Sequence, residues 1–305
     1  MSKLLILSSD EIKEYLELIQ KAKLSHLEIF TEINPECDIV LGEPRLIREH
    51  LSQLPNLKWA QSMYAGVERL VDPSLRHDYI LTNARGVFGN SMSEFVFGYL
   101  LFFKKRIRPR VLAQRARQWD NEDGGILRGK TIGLLGVGSI GAHLATTAKH
   151  FGMKVRGFTQ SSEDCKDVDA YYHGSDILNF ADSLDYLVGV LPRTDGTNEI
   201  VNAELLNALP SHAVFLNVGR GNAVDNSALV DALNNNKLAA AVLDVTIPEP
   251  LPEDHPFWTT PNLYLTFHTS AMSYPEDIAQ LFTENYQRYI EGKSLKYQVD
   301  FERGY

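Results

Sequence analysis

The chain lacks any apolar run of the roughly 18 residues that a membrane-crossing helix needs, so no segment reads as one. The apolar start at residues 3–7 is cut short by Ser8, Ser9, Asp10 and Glu11, and a secretory signal needs a longer core. Cysteine is scarce. Cys37 and Cys165 stand far apart with no Cys neighbour, which excludes a disulfide framework or a thiolate zinc site and fits a reducing cytoplasm. Positive charge is also short: 30 Lys and Arg against 39 Asp and Glu leave a formal charge of −9. Such a chain has no general attraction to nucleic acid or anionic lipid, and an anionic ligand needs a local pocket. Short-period repeats and low-complexity segments are absent. What is there is an ordinary globular composition, 44% hydrophobic and 23% charged over 305 residues. At roughly 150 residues per domain this suggests two domains. The expectation is a cytoplasmic enzyme acting on a small molecule, with no metal, nucleic-acid or membrane partner.

Short β-rich runs alternate with helical stretches. Strands are expected at 3–7, 38–42, 57–63, 79–82, 130–136, 154–159, 185–190, 213–218, 240–245 and 264–267, with helices at 11–23 and from the end of 130–136 to about 151. Apolar runs of this length separated by helices indicate parallel strands buried on both faces, hence an α/β doubly wound architecture. Residues 91–118 form one long helical candidate that Pro109 would kink or interrupt. It carries Lys104, Lys105, Arg106, Arg108 and Arg110, and a solvated or subunit-facing surface is preferred to a nucleic-acid reading. A second long helix is expected at 275–291. The chain then leaves a first domain (1–105 plus 274–305) through one helix and returns through the other, with 106–273 inserted as the nucleotide domain.

Gly136-Val137-Gly138-Ser139-Ile140-Gly141 is a G-x-G-x-x-G turn. Alone the pattern is weak, but a strand precedes it and an amphipathic segment follows. The first glycine permits a tight turn, the second lets pyrophosphate approach the backbone, and the third lets helix and strand pack closely. The amides of Ser139 and Ile140 then face phosphate from a helix N-terminus. A plain βα turn is the bland alternative. Folds specific for NAD place an acid at the end of the next strand, to bind the ribose 2′-hydroxyl. Here that strand ends in Thr159, Gln160, Ser161 and Ser162, and the first acid, Glu163, comes four residues late. The change removes repulsion of a 2′-phosphate and favours NADP(H), with NAD(H) still possible. No Arg or Lys occupies 159–162, although Arg193 on the 191–194 turn could approach from another loop. A methyltransferase would also want the missing acid.

Three later strand ends carry Arg220, Glu249 and His268. An open α/β sheet places ligands there. The guanidinium can hold a carboxylate and the adjacent carbonyl oxygen. The imidazolium can hand over a proton as hydride arrives at carbon. A buried glutamate can orient the ring and favour its charged form. Any one of the three alone reads as a loop arginine, a turn acid or a core histidine; together beyond a nucleotide turn they suit reduction of a 2-oxo acid.

On these residues the sequence resembles the D-isomer-specific 2-hydroxyacid dehydrogenase family over nearly its whole length. The matching stretches are 63–67 (MYAGV), 136–141, 191–194 (LPRT), 217–221 (NVGRG), 243–245 (LDV) through 249–252 (EPLP), and 266–268 (TFH). The resemblance implies a Rossmann-type nucleotide domain inserted in a smaller flavodoxin-like α/β substrate domain. It makes Arg220, Glu249 and His268 catalytic, and gives Tyr64, Ala65, Gly66 and Val67, with Arg220, to the substrate. Backbone amides in such a nest bind anions without side-chain charge. It gives the cofactor residues 136–141, Thr159, Gln160, Ser161, Leu191, Pro192, Val218, Gly219, Asp244 and His268, with Asp244 at the nicotinamide amide.

Two departures stand out: Phe267 occupies the usual proline position before the histidine, and Thr159 replaces the usual acid. The second leans toward the glyoxylate and hydroxypyruvate reductases that use NADPH. A dinucleotide-sensing regulatory protein on the same fold is the alternative. A homodimer with residues 91–118 in the interface is expected from the family, and Trp119 could reach a partner's cleft. Trp59 reads as core, and His143 and His150 as structural.

Overall fold

In a computed structural model that describes residues 1–304, the chain divides into two compact units. One is Met1–Val87 with Ser273–Tyr305; the other is Phe88–Met272. The chain opens with β1 (Ser2–Leu7), α1 (Ile12–Lys21), β2 (Leu27–Phe30), β3 (Ile39–Gly42), α2 (Pro44–His50), β4 (Trp59–Ser62) and β5 (Ile80–Thr82). The inserted unit begins with α3 (Gly89–Lys104) and α4 (Ile107–Arg115), then β6 (Thr131–Leu135), α5 (Ser139–His150), β7 (Lys154–Phe158) and β8 (Ala170–Tyr172). It continues through α6 (Ile177–Ala181), β9 (Tyr186–Gly189), α7 (Ala203–Ala208), β10 (Val214–Asn217), α8 (Asn226–Asn234), β11 (Ala240–Leu243) and β12 (Leu263–Leu265). The first unit is completed by α9 (Pro275–Ile290). No helix among the described residues is long and apolar enough to cross a membrane.

In the first unit the sheet order is β2-β1-β3-β4-β5, all parallel, which is the flavodoxin-like order. Residues 39–42 and 59–62 are buried throughout, as a parallel sheet covered on both faces requires. Trp59 is core, as expected: fully buried, it donates Nε1–H to Thr82 Oγ1 at 2.8 Å and stacks on Phe282 of α9.

In the second unit the order is β12-β11-β10-β9-β6-β7-β8, again all parallel. The strand order reverses between β6 and β9, the switch point where an open α/β sheet binds ligands. Successive residues face opposite cores: Leu135, Leu187, Phe215 and Leu243 enter one, and Leu134, Val188, Leu216 and Val242 the other.

Three expectations need correction. The first domain boundary falls at 87/88 and not at 105/106. Val96, Phe97 and Leu100 of α3 join the core that holds Leu144, Ala145 and Ala148 of α5, so burial ties α3 to the nucleotide unit. At the contact, a Cβ on Gly89 would stand 2.6 Å from the His143 ring. The single helix 91–118 is two, and the break is not at Pro109. Arg106 turns the chain at φ +53° between α3 and α4. Pro109 is the third residue of α4, within the first turn, where no intrahelical N–H is needed. Strands β2 and β8 were not expected. Both are short, half-buried edge strands, LEIF and AYY, whose exposure dilutes the apolar signal.

Candidate active site

The glycine turn joins β6 to α5. Gly136 adopts φ +97°, open to glycine alone at low cost, and stands against Val190 O of the β9 end. A Cβ on Gly141 would lie 2.3 Å from Gly136 O, so the third glycine is fixed by close packing. Val137 occupies the space that Gly157 of β7 leaves, where a Cβ would be 2.8 Å from its Cγ2. Gly138 is the N-cap of α5 and no side chain caps the helix. The first backbone bond is Ala142 N–H to Gly138 O at 2.8 Å, which leaves the N–H groups of Ser139, Ile140 and Gly141 without helical acceptors. Beside the turn, a Cβ on Gly219 would stand 2.7 Å from both N and O of Leu191, so the ends of β9 and β10 meet backbone to backbone. Orphan donors at a helix N-terminus within a glycine-lined cradle fit a dinucleotide pyrophosphate. The fold thus brings together residues 136–141, Leu191, Pro192, Val218 and Gly219, the stretches that the sequence singled out.

Thr159, Gln160 and Ser161 follow β7 directly, with Thr159 half-buried and the other two exposed. Thr159 Oγ1 donates to Ser162 O at 2.6 Å. Glu163 does not stand free: its Oε1 meets His173 Nε2 at 2.9 Å. Arg193 lies exposed in the turn after β9.

Arg220 follows β10, half-buried. Asn217 braces this loop, accepting from Gly219 N–H at 3.2 Å and donating Nδ2–H to Arg220 O at 2.9 Å. Arg220 Nη1 donates to Gly219 O at 2.8 Å. A Cβ on Gly221 would lie 2.3 Å from the Thr246 carbonyl carbon, so the loops after β10 and β11 are in direct contact. Within the second loop, Glu249 Oε1 accepts the Thr246 N–H at 2.9 Å, and Oε2 meets His268 Nδ1 at 3.0 Å. Glu249 was expected to be buried, and it is not: its side chain is 39% exposed, and that of His268 is 56% exposed. Pro248, Pro250 and Pro252 keep the 246–252 loop out of regular structure and on the surface.

Asp244 is 2% exposed. Its Oδ1 accepts from Thr266 Oγ1 at 2.7 Å, Thr269 N–H at 2.8 Å and Ser270 N–H at 3.1 Å, and its carbonyl accepts the His268 N–H at 2.6 Å. This carboxylate therefore holds the turn that presents His268. Phe267 and His268 have φ of +58° and +59°. Proline, locked near −65°, could not adopt the first of these, so this backbone is compatible with phenylalanine where it excludes the usual residue. Phe267 is 66% exposed and stacks on Trp258 at 5.8 Å.

In the first unit, Tyr64, Ala65, Gly66 and Val67 follow β4. Ser62 Oγ accepts Tyr64 N–H at 3.0 Å and donates to Tyr64 O at 2.8 Å; Asn83 Nδ2 donates to Ala65 O at 3.0 Å. These bonds tie back the backbone at Tyr64 and Ala65. Sequence reasoning passed over Ser62 and Asn83, which act through a backbone group or a second side chain and lie outside every quoted motif. Asn217, Thr246 and Thr266 stood inside or between quoted stretches but had no role assigned. His143, expected to be structural, accepts or donates at Nδ1 with Ser93 Oγ at 2.7 Å in the α3–α5 contact. Among the described residues, no group of three or more His, Cys, Asp or Glu is placed to hold a metal ion.

The model of the D-isomer specific 2-hydroxyacid dehydrogenase NAD binding domain matches residues 97–270. A D-isomer specific 2-hydroxyacid dehydrogenase family protein of known structure from Aeromonas salmonicida subsp. salmonicida is 40% identical with a TM-score of 0.91, over 99% of this chain and 100% of that one. A D-isomer specific 2-hydroxyacid dehydrogenase from Xanthobacter autotrophicus, solved with NADPH and MES, is 30% identical with a TM-score of 0.90, over 100% of both chains. Glyoxylate/hydroxypyruvate reductase A of Klebsiella pneumoniae subsp. pneumoniae is 28% identical over 256 residues, 82% of each chain. The fold, the glycine turn and these likenesses agree: the chain belongs to the D-isomer-specific 2-hydroxyacid dehydrogenase family, oxidoreductases that act on a CH–OH group with a nicotinamide dinucleotide.

Proposed function

We propose that the protein reduces a small 2-oxo acid of the glyoxylate or hydroxypyruvate type to the D-2-hydroxy acid, with NADPH favoured over NADH. One observation carries the reading: the His268–Glu249 contact at 3.0 Å stands with Arg220 at the C-terminal ends of neighbouring strands, in the sheet that carries the glycine turn. A bound nicotinamide supplies the hydride. Arg220 offers a planar fork for the substrate carboxylate and carbonyl oxygen. His268 gives a proton to that oxygen from Nε2, while Glu249 takes Nδ1–H and Asp244 holds the turn. The amides of 65–67 are suited to a carboxylate. The Ser139 and Ile140 amides suit pyrophosphate, with Leu191, Pro192, Val218 and Gly219 beside them.

The substrate class is supported by the name of the Klebsiella relative, and the cofactor by the NADPH of the Xanthobacter structure and by Thr159 in place of an acid. The test is a panel of glyoxylate, hydroxypyruvate and pyruvate run with each cofactor. NADPH oxidation on adding glyoxylate or hydroxypyruvate is expected, with higher kcat/KM than for NADH. Tight dinucleotide binding without turnover of any 2-oxo acid would replace the enzyme reading by a sensing one.

We infer also that two copies pair through the surface around α4, where Leu112 and Trp119 stand exposed.

A further inference from the structure

Beyond the catalytic residues, one side-chain cluster sits where the two cofactors differ. His173 directly follows the edge strand β8, beside the end of β7. Its Nδ1 lies 2.9 Å from Thr159 O and 3.2 Å from Thr159 Oγ1. The carbonyl can only accept, and the hydroxyl spends its own proton on Ser162 O, so Nδ1 carries a proton. On the other side of the ring, Nε2 lies 2.9 Å from Glu163 Oε1. A carboxylate also only accepts, so Nε2 carries a proton too. A ring that donates from both nitrogens is an imidazolium. The Glu163 carboxylate and the Thr159 carbonyl hold His173 above the usual histidine range, against a smaller opposing effect of burial.

The surroundings fix the turn. Cys165 N–H donates to Tyr171 Oη at 2.9 Å, and Tyr171 stacks on His173 with 6.4 Å between ring centroids. From the 159–165 turn, Glu163 is the charged group that meets the ring, while Asp164 accepts from Ser162 Oγ at 2.8 Å. From β8 the titratable neighbour is Tyr171, and from the turn that follows it is Asp176, whose carboxylate accepts from Asn179 at 2.7 Å.

We propose that His173 and Glu163 together decide which dinucleotide the protein takes: His173 keeps engaged the first acid after the second nucleotide strand, and so admits a 2′-phosphate. The inference rests on the cofactor reading above and deepens it. Thr159 removes the acid from the strand end, but Glu163 remains four residues on, and a free carboxylate there would repel a 2′-phosphate. His173 cancels that charge and ties the carboxylate to β8. It is a positioning residue, because both its N–H groups are already used by the protein.

The test is direct binding of NADPH and NADH by isothermal titration, without a 2-oxo acid. His173→Gln is expected to shift the ratio of the two dissociation constants toward NADH by roughly fivefold, the scale of an exposed charge pair. The double variant His173→Gln, Glu163→Gln is expected to return to the unmodified ratio, because the liberated acid is gone. In the unmodified protein the preference for NADPH should weaken as pH rises through the raised titration range of His173 and the ring loses its proton. Glu163→Gln alone should blunt that pH dependence, which keeps the test alive if His173→Gln does not fold. A ratio unmoved by His173→Gln, or a double variant identical to the single, overturns the inference. An unmodified protein that binds NADH more tightly overturns the cofactor reading; one that prefers NADPH and keeps that preference in His173→Gln overturns only the present proposal.

Discussion

At the scale of single residues, Glu249 is the informative one. Its two oxygens are divided between two donors, the Thr246 N–H and the His268 ring. A glutamine in its place cannot serve both, because turning its oxygen to one donor turns its NH₂ group on the other. Glu249→Gln should therefore lower kcat by roughly tenfold or more while leaving NADPH binding unchanged, and His268→Ala should lower kcat by about 10²–10⁴, the range for loss of a general acid. Arg220→Lys keeps the charge without the fork, so both KM and kcat should suffer. Steady-state kinetics at saturating NADPH, with binding measured separately, check the set. A Glu249→Gln protein with unmodified kcat would remove Glu249 from the mechanism. The sequence singled out these three side chains because each follows a strand within a patterned stretch. The grip of Asp244 on the His268 turn was not legible: the carboxylate is satisfied by residues 22 to 26 positions later, which only the sheet order brings near.

At the scale of elements, the strand ends opposite the site are held by one carboxylate. Asp185, at the start of β9, accepts from Thr131 N–H and Lys130 Nζ, both at 2.8 Å, and meets His212 Nε2 at 3.2 Å. It thereby links the entries of β6, β9 and β10. Burial acts to raise its pKa, but the Lys130 and Thr131 bonds outweigh burial and hold the group below the usual aspartate range. A depressed folded-state pKa means that the stabilisation is fully present above the unfolded value and is lost as pH falls through the folded one. Asp185→Asn is expected to cost about 1–2 kcal/mol near neutral pH, and the deficit should shrink only below about pH 4. Urea unfolding of both proteins across that range decides it; equal stability at neutral pH would mean that the staple contributes nothing. The elements themselves were mostly readable, since apolar runs of four to seven residues between helical patterns mark a buried parallel sheet. What escaped had a physical reason. Arg106 breaks a helix by adopting a left-handed conformation that its residue type does not announce, whereas Pro109, the conspicuous breaker, sits in the one turn that tolerates it.

At the scale of the whole molecule, α4 poses a question that its own chain does not answer. None of its residues is buried, and an isolated nine-residue helix is marginal in water. Along it and just beyond, Ile107, Val111, Leu112, Trp119 and Ile126 are all exposed, Trp119 at 93%. A groove of about 400 Å³ lies beside them, lined by Phe102, Phe103, Leu112 and Tyr264 among others. Large apolar side chains left exposed along one segment, with an apolar groove at Leu112, suit an interaction site. The basic residues on the same segment are partly spent within the chain: Arg106 meets Asp120 at 3.2 Å and Glu122 at 2.7 Å, and Arg108 donates to Tyr264 Oη at 3.0 Å. That internal pairing argues against a surface kept for nucleic acid and for one kept for protein. A second copy of this chain fits the family resemblance, and it would bury on each side what the other leaves exposed, as a two-fold interface does. Light scattering at micromolar concentration should then give twice the chain mass of 34.3 kDa. Leu112→Glu together with Trp119→Glu should halve that value by placing charges in the covered patch. A single-chain mass for the unmodified protein would refute the pairing and leave the exposure of α4 to be explained by another partner.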